Sequence, residues 1–331
     1  MKTIKWGILG AGRIAHKFAA DLKLVADAEL IAIGSRSQET AEEFGDEFNI
    51  KYRHDSYEAL VENPEVDVIY VATPHNLHHE NTLLCLQHNK AVLCEKPFAM
   101  NARQAKAMID LAKEKSLFLM EARWTVFHPH YKKTHEMIGQ GLLGDIRSVL
   151  INFGFKPEQP IPARMFDPAL GGGTLMDIGI YNVFMAMSIL GTPDVIEASM
   201  TPATTGVDEQ CAILFKYNNG AMAQLFSSFS SNMATEADIS GTEGRIRLTS
   251  RFYEPSATVE YYPKYVNSRE LIPVEKEPGV GYQYEARHVN DCLKRGLTES
   301  DVIPFADTLL LMETLDKIRE IAGIRYAADE S

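Results

Sequence analysis

The stretch Ile4-Lys5-Trp6-Gly7-Ile8-Leu9-Gly10-Ala11-Gly12-Arg13-Ile14-Ala15 decides the fold. Its first six residues read as a strand. Arg13 opens a run with Ile14, Phe18, Leu22 and Val25 at helical spacing, predicted to extend to Val25. Between strand and helix lies GxGxxA. Glycines there let main chain approach a pyrophosphate, and the helix N-terminus offers N–H donors and the positive end of its dipole. Gly10, Ala11, Gly12, Arg13 and Ile14 are therefore expected to bind a dinucleotide.

The same grammar continues. Strands are predicted at Glu29–Gly34, Asp67–Ala72, Ala91–Cys94 and Leu117–Glu121, and helices at Gln38–Phe48, Asn76–His88 and Asn101–Lys115, the last capped by Asn101. Strands alternating with helices imply a doubly wound parallel sheet, the Rossmann arrangement. After Phe127 the pattern changes. A helix over His128–Gly141 is followed by strands at Ile146–Lys156, Val195–Met200, Gln210–Tyr217, Ala221–Ser228, Thr235–Ile239 and Arg245–Thr249, with Asn219-Gly220 as a hairpin turn. Lys156–Pro168, with four prolines, reads as an ordered loop; helices at Tyr282–Lys294 and Phe305–Ala322 finish the chain. The expected class is α/β: an N-terminal Rossmann doubly wound parallel sheet over 1–122, and over 123–331 a C-terminal α+β domain with a large, mostly antiparallel sheet, its last helices available to pack back on the first domain.

Composition narrows the function. The chain has 331 residues, 45% of them apolar, and a formal charge of -12. That charge disfavours nucleic acid and anionic membrane as partners. No stretch is read as approaching the ~20 apolar residues of a membrane span. Cys85, Cys94, Cys211 and Cys292 lack CxxC spacing, and Met1–Trp6 runs directly into a strand with no signal peptide, so a reducing, cytoplasmic setting is expected.

The end of the second strand bears on the cofactor. An NAD site places an acid there for the ribose 2′-OH. This chain has Ser35-Arg36-Ser37 and no acid before Glu39. Arg36 offers a bidentate fork to a 2′-phosphate and the serines offer hydroxyls, which favours NADP over NAD.

Two further segments carry the chemistry. Glu95-Lys96-Pro97 follows a buried strand at the sheet edge where such folds place ligands. Pro97 fixes the following backbone, and Glu95 can hold or tune the ammonium. Gly171-Gly172-Gly173-Thr174-Leu175-Met176-Asp177-Ile178-Gly179-Ile180-Tyr181 reads as a tight turn opening a helix, with Thr174 as its cap and Asp177 and Tyr181 on one face.

Together these motifs resemble the Gfo/Idh/MocA oxidoreductases over essentially the whole chain. Tyr181 stands where many members have histidine. With Met120-Glu121-Ala122-Arg123-Trp124 and Asp167-Pro168-Ala169-Leu170, it is similar to the dimeric dihydrodiol dehydrogenase branch, which also contains NADP-dependent xylose dehydrogenases. The resemblance implies Lys96 and Tyr181 as the catalytic pair, Asp177 in support, NADP as cofactor and no metal. It places Thr73, Pro74, His75 and His78, with Glu95 and Lys96, beside the cofactor. It also implies pairing of the second-domain sheets across a two-fold axis, which suits a sheet with few helices left to cover it.

Hydride transfer needs a group to give or take the hydroxyl proton. A lysine ammonium favours phenolate, so Tyr181 can act as acid/base with Lys96 as electrostatic aid; the residues leave the opposite assignment, Lys96 as proton carrier and Tyr181 as orienter, open. The two come from different domains, so a cleft is expected to unite them. Trp124, Phe155 and Arg164 are candidates to line the substrate pocket, and Tyr282, Tyr284 and His288 are weaker ones. The function expected is interconversion of alcohol and carbonyl in a sugar, polyol or vicinal dihydrodiol. The alternatives are a non-catalytic NADP-binding sensor, or a lyase or hydrolase cycling a bound cofactor.

Overall fold

Parallel pairing in register, Leu9 against both Gly34 and Val71, then Val71 against Cys94, brings four strand ends to one level in the first sheet. The computed structural model describes residues 3–264 and 268–330. Its strands Ile4–Leu9 (β1), Ala28–Gly34 (β2), Tyr52–His54 (β3), Val68–Val71 (β4), Ala91–Glu95 (β5) and Leu119–Ala122 (β6) form one sheet in the order β3-β2-β1-β4-β5-β6. That order reverses at β1/β4, the crevice where doubly wound sheets bind dinucleotides. Strands β4, β5 and β6 are wholly buried, as helix-covered parallel strands must be. The helices are Arg13–Leu22 (α1), Gln38–Phe48 (α2), Tyr57–Val61 (α3), His78–Gln87 (α4) and Ala102–Lys115 (α5). Asn101 accepts from Gln104 N as the α5 cap.

The chain divides into two units. The first comprises residues up to Trp124 together with Glu277–Met312; the second comprises Thr125–Lys276 and the residues from Glu313. The later segment joins the first unit for a definite reason. The buried Asp21 carboxylate of α1 accepts from the main-chain N–H of Val280, Gly281 and Tyr282, capping helix Tyr282–Lys294 (α8) at its start. Trp6 Nε1 then donates to Asn290 on that helix at 3.0 Å.

The second unit holds Pro129–Gly139 (α6) and Ile180–Leu190 (α7), and a sheet of Ile146–Gly154 (β7), Val195–Pro202 (β8), Asp208–Lys216 (β9), Met222–Ser228 (β10), Glu236–Gly241 (β11), Gly244–Thr249 (β12), Thr258–Pro263 (β13) and Glu270–Ile272 (β14). Its order is β14-β13-β12-β11-β7-β10-β9-β8, and all neighbours are antiparallel except β7 and β10. Gly220 takes φ +85 in the Asn-Gly turn between β9 and β10. Helix Phe305–Ala322 (α9) closes the chain.

Several expectations need correction. Helix α1 stops at Leu22, short of Val25, and the region from Asn76 begins as a 3₁₀ turn, His75–Leu77, before α4. Strands β3, β13 and β14 and helix α3 are additions; β3 and β14 have three residues each, too few for a period to register. The segment Pro168–Leu190 is long and apolar enough by composition to span a membrane, against the reading that no stretch approaches this. Most of it is buried in the protein, so its apolarity serves the core.

Two buried groups of the second unit change stability with pH in opposite directions. His130 on α6 is fully buried with Nε2 2.7 Å from Phe252 O, and burial lowers its pKa to about 4. Its neutral form favours the fold, so about 3 kcal/mol of stability is lost as pH falls from 6.5 to about 4. Burial raises the Asp208 pKa from 3.8 to about 6. This acid binds its proton more tightly when folded, so stability is gained as pH falls through that window. Asp208→Asn removes the gain alone. In urea titrations, wild type should gain about 3 kcal/mol over the variant between pH 6.5 and 4; a constant difference would disprove the assignment.

Candidate active site

The shared level of the strand ends in the first unit sets the order of the site. Gly10–Gly12 leaves β1, Ser35–Ser37 leaves β2, Thr73–His75 follows β4, and Lys96-Pro97 follows β5. Gly10 has φ +99, and a Cβ there would lie 3.1 Å from Ala72 O, so only glycine fits. At Gly12 the nearest atom to an added Cβ is 4.0 Å away, and α1 carries neither a side-chain cap nor an acid in its first turn. Open N–H donors at a helix start with room above them fit a diphosphate.

Beside that turn, Ser35 is buried and Arg36 exposed. Arg36 hydrogen-bonds the Tyr57 side chain and borders a hollow of about 820 Å³ with Ser56, Leu77 and Glu80. Ser37 Oγ caps α2 by accepting from Thr40 N. Arg36 therefore stands at an open rim with a hydroxyl-bearing turn on either side.

Lys96 is half-buried and is joined to Pro97 by a cis bond. Glu95 is occupied locally: its carboxylate accepts from Tyr70 O–H and, at 3.1 Å, from Lys96 N. Burial raises the Glu95 pKa, against the opposing pull of Lys96. Glu121 and Glu285 are also raised by burial, Glu285 further by the charge of Glu95. Three buried carboxyls thus surround this strand end, and Glu285 is a member that sequence reasoning missed. His78 is held between two loops. It is fully buried, with Nδ1 2.7 Å from Pro97 O and Nε2 2.8 Å from Thr73 O. Burial lowers its pKa, and the two carbonyl contacts oppose that shift. His78 ties the Thr73 and Pro97 loops to each other. Trp124 is buried, stacked on Tyr282 at 4.4 Å and 7°.

In the second unit the glycine run forms the turn expected, with a different cap. Gly171 and Gly173 have φ +73 and +114. Thr174 makes no cap hydrogen bond; its hydroxyl donates to Asp208 Oδ2 at 2.6 Å, and Leu175 N donates to the same oxygen at 2.6 Å. Asp208 is fully buried and caps the segment from β9, a long-range contact no local motif announces. Residues Leu175–Gly179 then form a π turn, a wide turn often found at functional sites, before α7. Asn182 Nδ2 donates to Phe226 O at 2.9 Å and seats α7 on β10.

This bed presents Tyr181, 7% exposed, among Phe153, Phe184 and Tyr253, with ring centroids 5.8, 5.7 and 5.0 Å away. Asp177 pairs with Arg164 Nη1 at 3.5 Å. The structure therefore brings Arg164, Asp177 and Tyr181 into one neighbourhood, with Phe155 joined to it through Phe153 at 6.4 Å. Tyr253 was missed. It stacks on Phe153 at 4.3 Å, and its pKa is raised first by burial, with Asp177 adding to the rise. Its position after β12 gave no periodic signal.

A parallel sheet in this order, with an open glycine-framed helix start, defines a dinucleotide-binding domain, and its union with the second unit defines a two-domain oxidoreductase. The chain belongs to the Gfo/Idh/MocA family: residues 4–122 match the model of the oxidoreductase family with NAD-binding Rossmann fold, and 131–247 match the GFO/IDH/MocA C-terminal domain. The trans-1,2-dihydrobenzene-1,2-diol dehydrogenase of Mus musculus is 37% identical over 337 residues, covering 99% of both chains. That of Xenopus tropicalis is 36% identical over 334 residues, covering 97% of this chain and 99% of its own. Among solved structures, KijD10, a 3-ketoreductase from Actinomadura kijaniata in complex with NADP and TDP-benzene, superposes with TM-score 0.86 at 26% identity, covering 97% of this chain and 98% of its own.

The turn yields a sharp test. A Cβ on Gly173 would lie 2.2 Å from Asp208 Oδ1, whereas one on Gly206, also at positive φ, meets nothing within 4 Å. Gly206→Ala should cost only backbone strain, on the order of 1 kcal/mol. Gly173→Ala should cost several times that, as read by melting temperature, and should lower kcat. Equal losses would remove Asp208 from the argument.

Proposed function

We propose that this protein is an NADP-dependent oxidoreductase that interconverts alcohol and carbonyl on a sugar, polyol or vicinal dihydrodiol, with Tyr181 and Lys96 as its proton-transfer pair. The observation that carries the reading is Tyr181 itself, a buried phenol one turn after an Arg164-paired Asp177, at the start of a helix fixed by Asp208. When bound, the nicotinamide supplies or accepts the hydride. The Tyr181 hydroxyl gives its proton to the carbonyl oxygen during reduction and takes it back during oxidation. A phenol is a poor base near neutrality, and the task of the Lys96 ammonium is to favour phenolate. Asp177, with Arg164, orients the turn bearing the tyrosine.

The diphosphate would lie on Gly10–Gly12 and the α1 start, and a 2′-phosphate against Arg36 with Ser35 and Ser37. The NADP held by KijD10 and the absence of an acid after β2 support this choice. Dihydrodiols are favoured among substrates by the aromatic neighbours of Tyr181, which suit a flat ring, and by the dihydrodiol dehydrogenase relatives. A homodimer through the second sheet is supported by its outer face, where Leu150, Leu214 and Phe226 border a hollow of about 500 Å³, and Leu150 and Met222 are 44% and 40% exposed. A reducing, cytoplasmic setting suits the four buried free thiols.

Tyr181→Phe should lower kcat by roughly 10²–10⁴-fold while the NADPH Kd stays near wild type; near-normal turnover would refute the assignment. Arg36→Ala should raise KM for NADP about tenfold or more, as expected for losing a charge-assisted bond, and leave KM for NAD unchanged. Equal effects on both cofactors would take Arg36 out of the phosphate site.

A further inference from the structure

Among the described residues, His288, Cys292 and Asp301 are the set of histidine, cysteine and acidic side chains whose ligand atoms converge, all within 4.8 Å of one another. None is among the residues proposed above for proton or hydride transfer. His288 and Cys292 are four residues apart on α8 and share a face. His288 Nε2 lies 3.3 Å from Cys292 Sγ and 3.8 Å from Asp301 Oδ1. A tetrahedral zinc ion, with Zn–S near 2.3 Å and Zn–N near 2.0–2.1 Å, holds two such donors about 3.5 Å apart. The donor atoms already have nearly that spacing.

The surroundings prepare the donors. The Ser300 hydroxyl oxygen accepts from Val302 N and Ile303 N at 3.0 and 2.9 Å, so its proton is directed to His288 Nε2 at 2.7 Å. Nε2 is therefore the lone-pair nitrogen of a neutral ring, the form that ligates metals. Arg295 Nη2 binds the other oxygen of Asp301, Oδ2, at 2.8 Å; this contact lowers the Asp301 pKa and keeps it anionic. The segment bearing Asp301 is fixed to the edge of β6, where Leu119 N donates to Thr298 O at 3.2 Å and Leu119 pairs with Glu299. Cys292 is buried and the Asp301 side chain is 48% exposed, which provides both a dry donor and a path from solvent.

We propose that His288, Cys292 and Asp301 form a three-ligand site for a soft divalent cation, zinc by its donor set, with water as fourth ligand. Thiolate and imidazole select zinc or cadmium over magnesium and calcium. Binding exchanges the Ser300–His288 hydrogen bond for three ligand bonds and links α8 to the strand-edge segment. The Cys292 thiol, its pKa pushed to about 11 by burial first and then by Asp301, gives up its proton to the solvent as the metal–sulfur bond forms. Affinity therefore rises with pH. The sequence reading expected no metal, and this site departs from that expectation.

The test is titration of full-length, chelator-treated protein with Cd²⁺ alone, following the ultraviolet charge-transfer band of cadmium thiolate, and with Zn²⁺ alone by calorimetry. One equivalent should bind the wild type. The band should vanish in Cys292→Ser, and affinity should fall at least about tenfold in His288→Gln and Asp301→Asn. No saturable band in wild type overturns the proposal. So does a band that persists in Cys292→Ser, which would report Cys85, Cys94 or Cys211. Should Cys292→Ser fail to fold by circular dichroism, the wild-type and His288→Gln titrations decide alone.

Discussion

Each unit of this protein fixes a helix start with a buried aspartate from a remote part of the chain. Asp21 accepts three consecutive main-chain N–H groups at the head of α8, and Asp208 accepts Leu175 N and the Thr174 hydroxyl at the head of the π turn. In both places a glycine makes room: a Cβ on Gly279 would lie 2.8 Å from Asp21 Oδ1, and one on Gly173 would lie 2.2 Å from Asp208 Oδ1. A side-chain cap of the local kind satisfies its own turn and leaves the rest of the fold free. A carboxylate supplied from elsewhere satisfies the turn and positions the whole element at once. The placement of Tyr181, and the membership of residues 277–312 in the first unit, both rest on this device.

The strand ends set the chemistry of the first unit. Because the strands pair in register, the loops after β1, β2, β4 and β5 leave the sheet at one level, with His78 joining two of them. The carboxyls of Glu95, Glu121 and Glu285 lie buried behind Lys96, each favoured in its neutral form by burial.

Legibility in the sequence followed contact range. GxGxxA, the nearly continuous apolar runs of β4 and β5, the Asn101 cap and the Asn-Gly hairpin are local patterns, and each appears in the structure. The glycine turn was readable as a turn, but its cap was not, because Thr174 looks like a local cap and the true acceptor lies 34 residues onward. Tyr253 and Glu285 escaped notice for the same reason: packing gives them their surroundings, and no local pattern sets either apart. His78 was found for its place in the sequence, yet its two carbonyl contacts turn it into a brace. The convergence of Asp301 on the His288–Cys292 face was likewise invisible without the turn at Ser300.

The discontinuity of the first unit has a consequence for how the chain is made. Trp6 Nε1, the Asp27 carbonyl and the Asp21 carboxylate all wait for partners on Val280–Asn290. During translation the nascent Rossmann sheet therefore emerges with these groups unmet, while every strand of the second sheet is still to be synthesised. The domain begun first is completed only after every strand of the second sheet has been made. A ribosome stalled before Glu277 would hold an N-terminal unit whose strands are all present and whose α1 face is still open to water.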